Sequence, residues 1–237
     1  IRPFATLYHW DLPQALEDEG GWSRRSTAEA FVGYVEAVVE RLGDRVEDWI
    51  THNEPWCASM LGYERGIHAP GVVDRSRAIA ASHHLLLSHG WALPVIRTAC
   101  PAARAGITLN LGPMLPASNS AADRDAARYA DGHFNRWFLD PVFGRGYPDD
   151  IVRDHVRGGF LPARGMTMIQ AGDLDAIAGH TDFLGVNYYN RSILRSDAIR
   201  EADNEPPVRA LAPPETWTEM GWEVYPPGLH HTLMRVH

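Results

Sequence analysis

The chain has 237 residues, 45% of them apolar and 10% aromatic, which is enough for a substantial core in one or two domains. Its formal charge of −8 weighs against nucleic acid as a partner, because phosphate binding needs clustered basic side chains. Two cysteines, Cys57 and Cys100, make neither a disulfide framework nor a four-thiolate metal site, and fit a reduced, cytoplasmic setting. No apolar run approaches the ~20 residues of a membrane helix, so no membrane partner is expected.

The chain opens at Ile1 and is in an apolar run within a few residues. Residues 4–8 read as a strand that runs into His9, Trp10 and Asp11. A capping box, Ser26-Thr27-Ala28-Glu29, opens a helix in which Phe31, Val35, Val38, Val39 and Leu42 keep helical spacing and Gly43 is placed to end it. A second strand over 46–51 runs into Asn53 and Glu54. The next helix, 76–99, turns Ile79, Leu86 and Leu93 inward, and Pro94 predicts a kink or a division in two. Its His83, His84 and His89 lack the i, i+4 spacing of a metal pair and read as helix surface and packing. A third strand over 105–109 ends at Asn110, and helical pieces follow over 123–138 and near 149–156 and 167–171. A fourth strand over 183–186 runs into Asn187, Tyr188 and Tyr189. Residues 191–227 are polar and hold six prolines, which predicts an irregular, exposed loop. Residues 227–236 read as a helix with Leu229, Leu233 and Val236 on one face, cut at His237, as in a fragment of a longer domain.

Strands alternating with helices, each strand apolar throughout and ending in polar side chains, make an α/β pattern with a buried parallel sheet. A doubly wound sheet announces itself by a glycine-rich first turn, which is absent. A (β/α)8 barrel places its site at the carboxyl ends of many strands and fits better. The strand ends at 10, 53, 110 and 187 are spaced more widely than the ~31 residues per unit of a plain barrel. The chain therefore holds about half of a barrel with enlarged loops.

A full negative charge at Glu54, directly after an apolar strand and before Pro55, is the feature that needs a purpose. Around it would gather His9, Trp10, Asn53, Trp56, Asn187 and Tyr189. Amides and imidazoles both donate and accept hydrogen bonds, as sugar hydroxyls require, and indole faces suit the apolar face of a pyranose. A structural reading competes for each: Glu54 as partner of an arginine, His9 as a satisfied histidine, the indoles as packing, Asn187 as a strand cap. A second Asn-Glu-Pro, at 204–206, lies in the proline-rich loop and carries no meaning there. No metal shell or cofactor motif is evident.

Together the strings Tyr8-His9-Trp10-Asp11-Leu12-Pro13-Gln14-Ala15-Leu16, Gly20-Gly21-Trp22, Trp49-Ile50-Thr51-His52-Asn53-Glu54-Pro55-Trp56 and Leu184-Gly185-Val186-Asn187-Tyr188-Tyr189 resemble glycoside hydrolase family 1, the β-glucosidases. Asn135-Arg136-Trp137-Phe138-Leu139-Asp140-Pro141 and Met220-Gly221-Trp222-Glu223-Val224-Tyr225-Pro226 fit it too. The resemblance implies a partial (β/α)8 TIM barrel, residues 1–237 forming a single incomplete catalytic domain with strands three to six present. Strands one, two, seven and eight would be absent. It implies a retaining β-glycosidase acting on a small β-glycoside or oligosaccharide without a cofactor. Glu54 matches the acid/base. His9 and Asn53 match residues that hold sugar hydroxyls, Trp10 packs below the sugar, Trp56 lines the leaving-group side, and Asn187 and Tyr189 sit near the reaction centre. His52 stands where the family more often has an apolar residue. The family's nucleophile string Thr-Glu-Asn-Gly does not occur in these 237 residues, so the chain alone is expected to be inactive. A sugar-binding module without activity, another barrel glycosidase, and a phospho-β-glucosidase of the same family remain alternatives. The oligomeric state and the preferred sugar are not legible.

Overall fold

The computed structural model describes residues 1–197 and 216–237, and the loop copy of Asn-Glu-Pro at 204–206 lies outside the described residues. The elements run β1 (Phe4–Tyr8), α1 (Gln14–Asp18), α2 (Arg25–Leu42), β2 (Asp48–Asn53), α3 (Arg75–Ala99), β3 (Arg104–Asn110), β4 (Met114–Pro116) and α4 (Ala121–Asp131). Then come α5 (Trp137–Val142), α6 (Asp149–Arg157), α7 (Asp173–Ile177), β5 (Phe183–Asn187), β6 (Ser192–Leu194) and α8 (Pro227–Val236). Two segments wind as π-helix, Cys57–Glu64 and Gly132–Arg136. Contacts divide the chain into two compact units, Ile1–Leu109 with Phe138–Val186 and Asn110–Trp137 with Asn187–His237.

The first unit is α/β and built on a parallel sheet, in the order β1-β2-β3-β5. β1 pairs with β2 from Phe4↔Asp48 to Tyr8↔His52, and β2 with β3 from Asp48↔Arg104. Trp49, Ala105, Ile107 and Leu109 are buried, as strands covered on both faces require. Phe31, Val35 and Val39 of α2 and Ile79, Leu86, Leu93 and Ile96 of α3 complete this core. A fully buried Leu or Ile contributes about 1.5–3 kcal/mol, so the layer carries much of the unit's stability. At the amino end of β2 the buried carboxylate of Asp48 receives the guanidinium groups of Arg2 and Arg104. The Arg2 hydrogen bond, with Arg104 beside it, holds this carboxyl below its usual range against the opposing effect of burial.

The structure departs from the expected elements in ways that have physical causes. The capping box at Ser26 is not used: α2 starts at Arg25 without a side-chain cap, and Thr27 Oγ1 donates to Gly21 O at 2.7 Å. The tight turn Gly21–Ser23 runs directly into the helix, and its Gly21 carbonyl accepts from the Arg24 N–H as well as from the Thr27 hydroxyl. Pro94 does not divide α3, which continues for 25 residues. The proline is exposed while Leu93 and Ile96 beside it are buried, so tertiary burial outweighs one lost helical hydrogen bond. The span 123–138 is three pieces, with the π-helical Gly132–Arg136 between α4 and α5. No helix forms at 167–171; α7 begins at Asp173, whose carboxylate takes the N–H of Gln170 at 2.8 Å.

His83, His84 and His89 are not on the helix surface but buried, each with its own partner. His83 lies 3.0 Å from the Tyr147 hydroxyl and 3.1 Å from Asp173, which also receives Arg25 at 2.7 and 2.9 Å. His84 reaches the carbonyl of Trp22 at 2.9 Å, and His89 the hydroxyl of Thr51 at 2.8 Å. Among the described residues, no helix is long and apolar enough to cross a membrane.

In the second unit β4 and β6 pair in parallel from Met114↔Ser192 to Pro116↔Leu194. The stretch 191–227 is thus not irregular throughout: residues 192–194 form a half-buried strand, and Trp217 bridges Glu223. α8 falls where the sequence places it, with Leu229 and Leu233 exposed.

Burial lowers the pKa of His83 to about 4 and of His89 to about 3, against an unfolded value near 6.5. Above pH 6.5 both are neutral folded and unfolded, so no penalty arises. Below it the unfolded chain takes up protons that the native state refuses, and stability falls as pH falls. The slope should be about 1.4 kcal/mol per pH unit for each histidine. Denaturant midpoints should drop between pH 7.5 and 5, with a shallower drop for His89→Gln. Midpoints that stay level over that range would contradict this account.

Candidate active site

Five of the seven expected residues, His9, Trp10, Asn53, Glu54 and Trp56, lie in the first unit, at and after the carboxyl ends of β1 and β2. β2 leaves its regular ladder between Ile50 and Asn53, where the register to β3 shifts. Two consecutive side chains then reach α3: Thr51 meets His89, and His52 Nε2 meets the Ser88 hydroxyl at 2.8 Å. The His52 ring stacks on Phe31 at 4.5 Å, and burial keeps its pKa well below the ordinary histidine value. It fills the apolar position of the expected pattern as a neutral aromatic ring.

Glu54 follows with φ +46°, a left-handed backbone rare for a residue with a side chain. The residue is buried, only 2% exposed. The Glu54 N–H donates to Thr108 O at 2.8 Å, and the Cys57 N–H donates to Glu54 O at 2.8 Å. The Cys57 thiol donates to Glu54 Oε2 at 3.0 Å. Burial, and then the adjacent Glu54 carboxylate, push the thiol pKa up beyond its ordinary range, so the thiol stays protonated and acts as a neutral donor.

β1 ends in a second left-handed residue, Trp10, with φ +81°. Its indole N–H donates to Asn53 O at 2.8 Å, and its ring lies 4.8 Å from the ring of His9 and 5.5 Å from that of His68. The Asn53 amide nitrogen is 3.2 Å from His9 Nε2, so the amide donates to the imidazole when the ring proton sits on Nδ1. His9 is exposed, Asn53 buried. Trp56 is half-buried, one residue before the π-helix, with the Arg65 guanidinium 5.3 Å from its ring. The arrangement offers a buried carboxylate, an amide and an exposed imidazole on two neighbouring strand ends. That combination can transfer a proton and hold hydroxyl groups.

Asn187 and Tyr189 belong to the second unit. Asn187 ends β5, and its carbonyl accepts the N–H of Leu111 at 3.0 Å. Tyr189 is 49% exposed, with its ring 5.2 Å from Trp222. Around them, Tyr188 donates to Tyr225 O at 2.6 Å, Arg191 pairs with Glu223 at 2.8 and 2.9 Å, and the Asn135 amide bridges the N–H and C=O of Gly112.

Sequence reasoning did not single out Cys57, His68 or Thr108. Cys57 sits three residues after Glu54, the spacing at which side chains meet across a helical turn, and that signal was available. His68 and Thr108 join through chain distant in sequence and leave no local trace.

The Glycosyl hydrolase family 1 model matches residues 1–237. Beta-glucosidase A of Acetivibrio thermocellus is 41% identical over 234 residues, which is 99% of this chain and 51% of that protein. The structure of a beta-glucosidase from Exiguobacterium marinum superposes with a TM-score of 0.86 at 40% identity, over 100% of this chain and 52% of the other. The structure of SghA from Agrobacterium tumefaciens in complex with its substrate analogue salicin gives 0.86 at 40% identity, over 99% and 50%. The chain spans about half the length of the curated relatives it matches.

Because Cys57 is buried and its thiol pKa is raised, it should resist thiol reagents in the native protein at pH 8. Labelling with Ellman's reagent should reach Cys57 only after denaturation. Rapid native labelling, located by peptide mass, would show that the segment after Glu54 opens and that the contact is not persistent.

Proposed function

The chain belongs to glycosyl hydrolase family 1, and from that premise we propose that it carries the acid/base portion of a retaining β-glucosidase that removes terminal β-D-glycosyl residues. The observation that carries the proposal is the carboxylate of Glu54, buried on a left-handed turn at a strand end beside an amide and an imidazole. Its support is that relatives matching the chain throughout are named β-glucosidases, and that one similar structure holds the substrate analogue salicin. The family match over 1–237 also supports reading the chain as part of one incomplete (β/α)8 catalytic domain. Two free, buried cysteines fit a reducing, cytoplasmic setting.

In the proposed reaction Glu54 gives its proton to the glycosidic oxygen as the C1–O bond breaks. A second carboxylate, ~5–5.5 Å away in retaining enzymes, bonds to C1 at the same time. Glu54, now a carboxylate, takes a proton from water, whose oxygen bonds to C1 and releases the second carboxylate. His9 and Asn53 hold hydroxyls of the sugar, and Trp56 borders the departing group. Asn187 and Tyr189 are assigned to the same sugar on the strength of the Asn187-Tyr188-Tyr189 motif. The nucleophile is assigned to the portion of the relatives that this chain does not span.

Two outcomes follow. In the longest protein that carries this chain, Glu54→Gln should cut hydrolysis of alkyl β-glucosides and cellobiose by about a hundred-fold or more, and that of dinitrophenyl β-glucoside far less, because an activated phenolate needs no proton. Steady-state kinetics with both classes decide it, and equal damage to both would argue against acid catalysis. Sugar binding that survives Glu54→Ala in a protein without hydrolysis would favour a binding module instead. The 237-residue chain alone should release no phenolate beyond its own Glu54→Gln control, since losing the nucleophile removes a covalent step. Turnover above that control would place a nucleophile inside these residues.

A further inference from the structure

We propose that Trp10 is a positioning residue for Glu54, acting through the Asn53–Glu54 peptide rather than only as a surface for the sugar. The proposal rests on the acid/base reading of Glu54 and deepens it. The pairing of β1 with β2 stops at Tyr8↔His52, and at Trp10 the chain turns away with φ +81°. The carbonyl of Asn53 therefore lies beyond the last ladder pair with β1. The indole N–H of Trp10 takes the missing donor's place, 2.8 Å from that oxygen.

The other polar end of the same peptide is also held, because the Glu54 N–H donates to Thr108 O of β3 at 2.8 Å. One peptide plane is thus gripped from β1 on one side and β3 on the other. The next peptide is held too, by the Cys57 N–H on Glu54 O at 2.8 Å. Both planes that flank the Glu54 Cα are fixed, so its φ of +46° is fixed, and with it the direction in which the carboxylate leaves the chain. The thiol on Oε2 then sets the tip. Of these supports, the indole is the one supplied by a side chain remote from Glu54 in sequence, and it is itself braced by the rings of His9 and His68. A backbone in a sparsely populated region persists only where its surroundings over-determine it. Removing the indole donor releases one of the two grips on the plane.

Trp10→Phe keeps a ring at the position and deletes the donor. In the longest protein carrying this chain, the ratio of kcat/KM for dinitrophenyl β-glucoside to that for alkyl β-glucosides should rise about tenfold or more, because a misaimed acid harms the substrates that need a proton. An even loss over both substrates with a raised KM would assign the ring to the sugar alone and overturn the proposal, as would unchanged kinetics. A second measurement needs no turnover. By NMR hydrogen exchange on the wild-type protein, the Trp10 indole hydrogen should be protected. In Trp10→Phe the Glu54 amide should exchange about tenfold or more faster. A freely exchanging indole hydrogen would overturn the proposal. Wild-type protein that hydrolyses none of these glycosides, with both exchange results as expected, would sink the glucosidase reading and leave the positioning of residue 54 standing.

Discussion

Everything in the first unit is arranged around one short strand with a buried carboxylate at each end. β2 begins at Asp48 and runs directly into Glu54, and both side chains are withdrawn from water. Removing a carboxylate from water costs several kcal/mol unless donors replace the lost hydration. The two ends meet that demand in opposite ways. Asp48 receives guanidinium groups from the segments that open β1 and β3, and these hold it ionised. Glu54 receives a thiol, a neutral and weak donor, on one oxygen. A guanidinium commits a carboxylate to its charge. A thiol orients it without adding a charge. One end of the strand is held by charge and the other by a neutral donor.

The strand between them depends on α3. Thr51 and His52, polar residues in the middle of a buried sheet, are tolerated because His89 and Ser88 answer them from the helix. The register shift after Ile50 lets neighbouring side chains both face α3, and it is the same shift that releases Asn53 and Glu54 from the regular alternation. The polar pairs lie at that shift, and the pairing with β3 resumes at Asn53↔Thr108. Ring contacts of His52 with Phe31, Tyr8 and Trp22 tie this point to α2 and to β1.

How much of this was legible follows from what each feature depends on. The four strands of the sheet could be read because each leaves an apolar run in the sequence, and each lies within two residues of its expected bounds. Glu54 was visible as a charge in the wrong place, and Asn53, His9 and Trp10 as its company. Its left-handed turn was not, since nothing local asks a glutamate to adopt one. The histidines of α3, read as helix surface and packing, are packed but not at the surface, and partners such as Asp173, Tyr147 and Thr51 are far away in sequence. A histidine beside leucines gives no sign of whether such partners exist. The π-helical segments have no sequence signature at all, yet one of them holds Cys57 and the other Asn135, which clasps Gly112 after β3. The unused capping box at Ser26 shows the reverse error, a strong local pattern overruled by the turn packed against it.

Backbone strain is distributed unevenly, and its placement is informative. Among the described residues the non-glycine positions with positive φ are Trp10 and Glu54, at the ends of adjacent strands. Each costs about 1–3 kcal/mol, too much to persist at random in a protein of ordinary stability. Glycine would remove the cost at either position, and ten other positive-φ sites among the described residues do use it. At these two the side chain itself is what the position requires: an indole N–H at one and a carboxylate at the other. The strain accompanies a side chain held where the backbone must also turn sharply. Among the described residues it is confined to the ends of β1 and β2, away from the ends of β3 and β5.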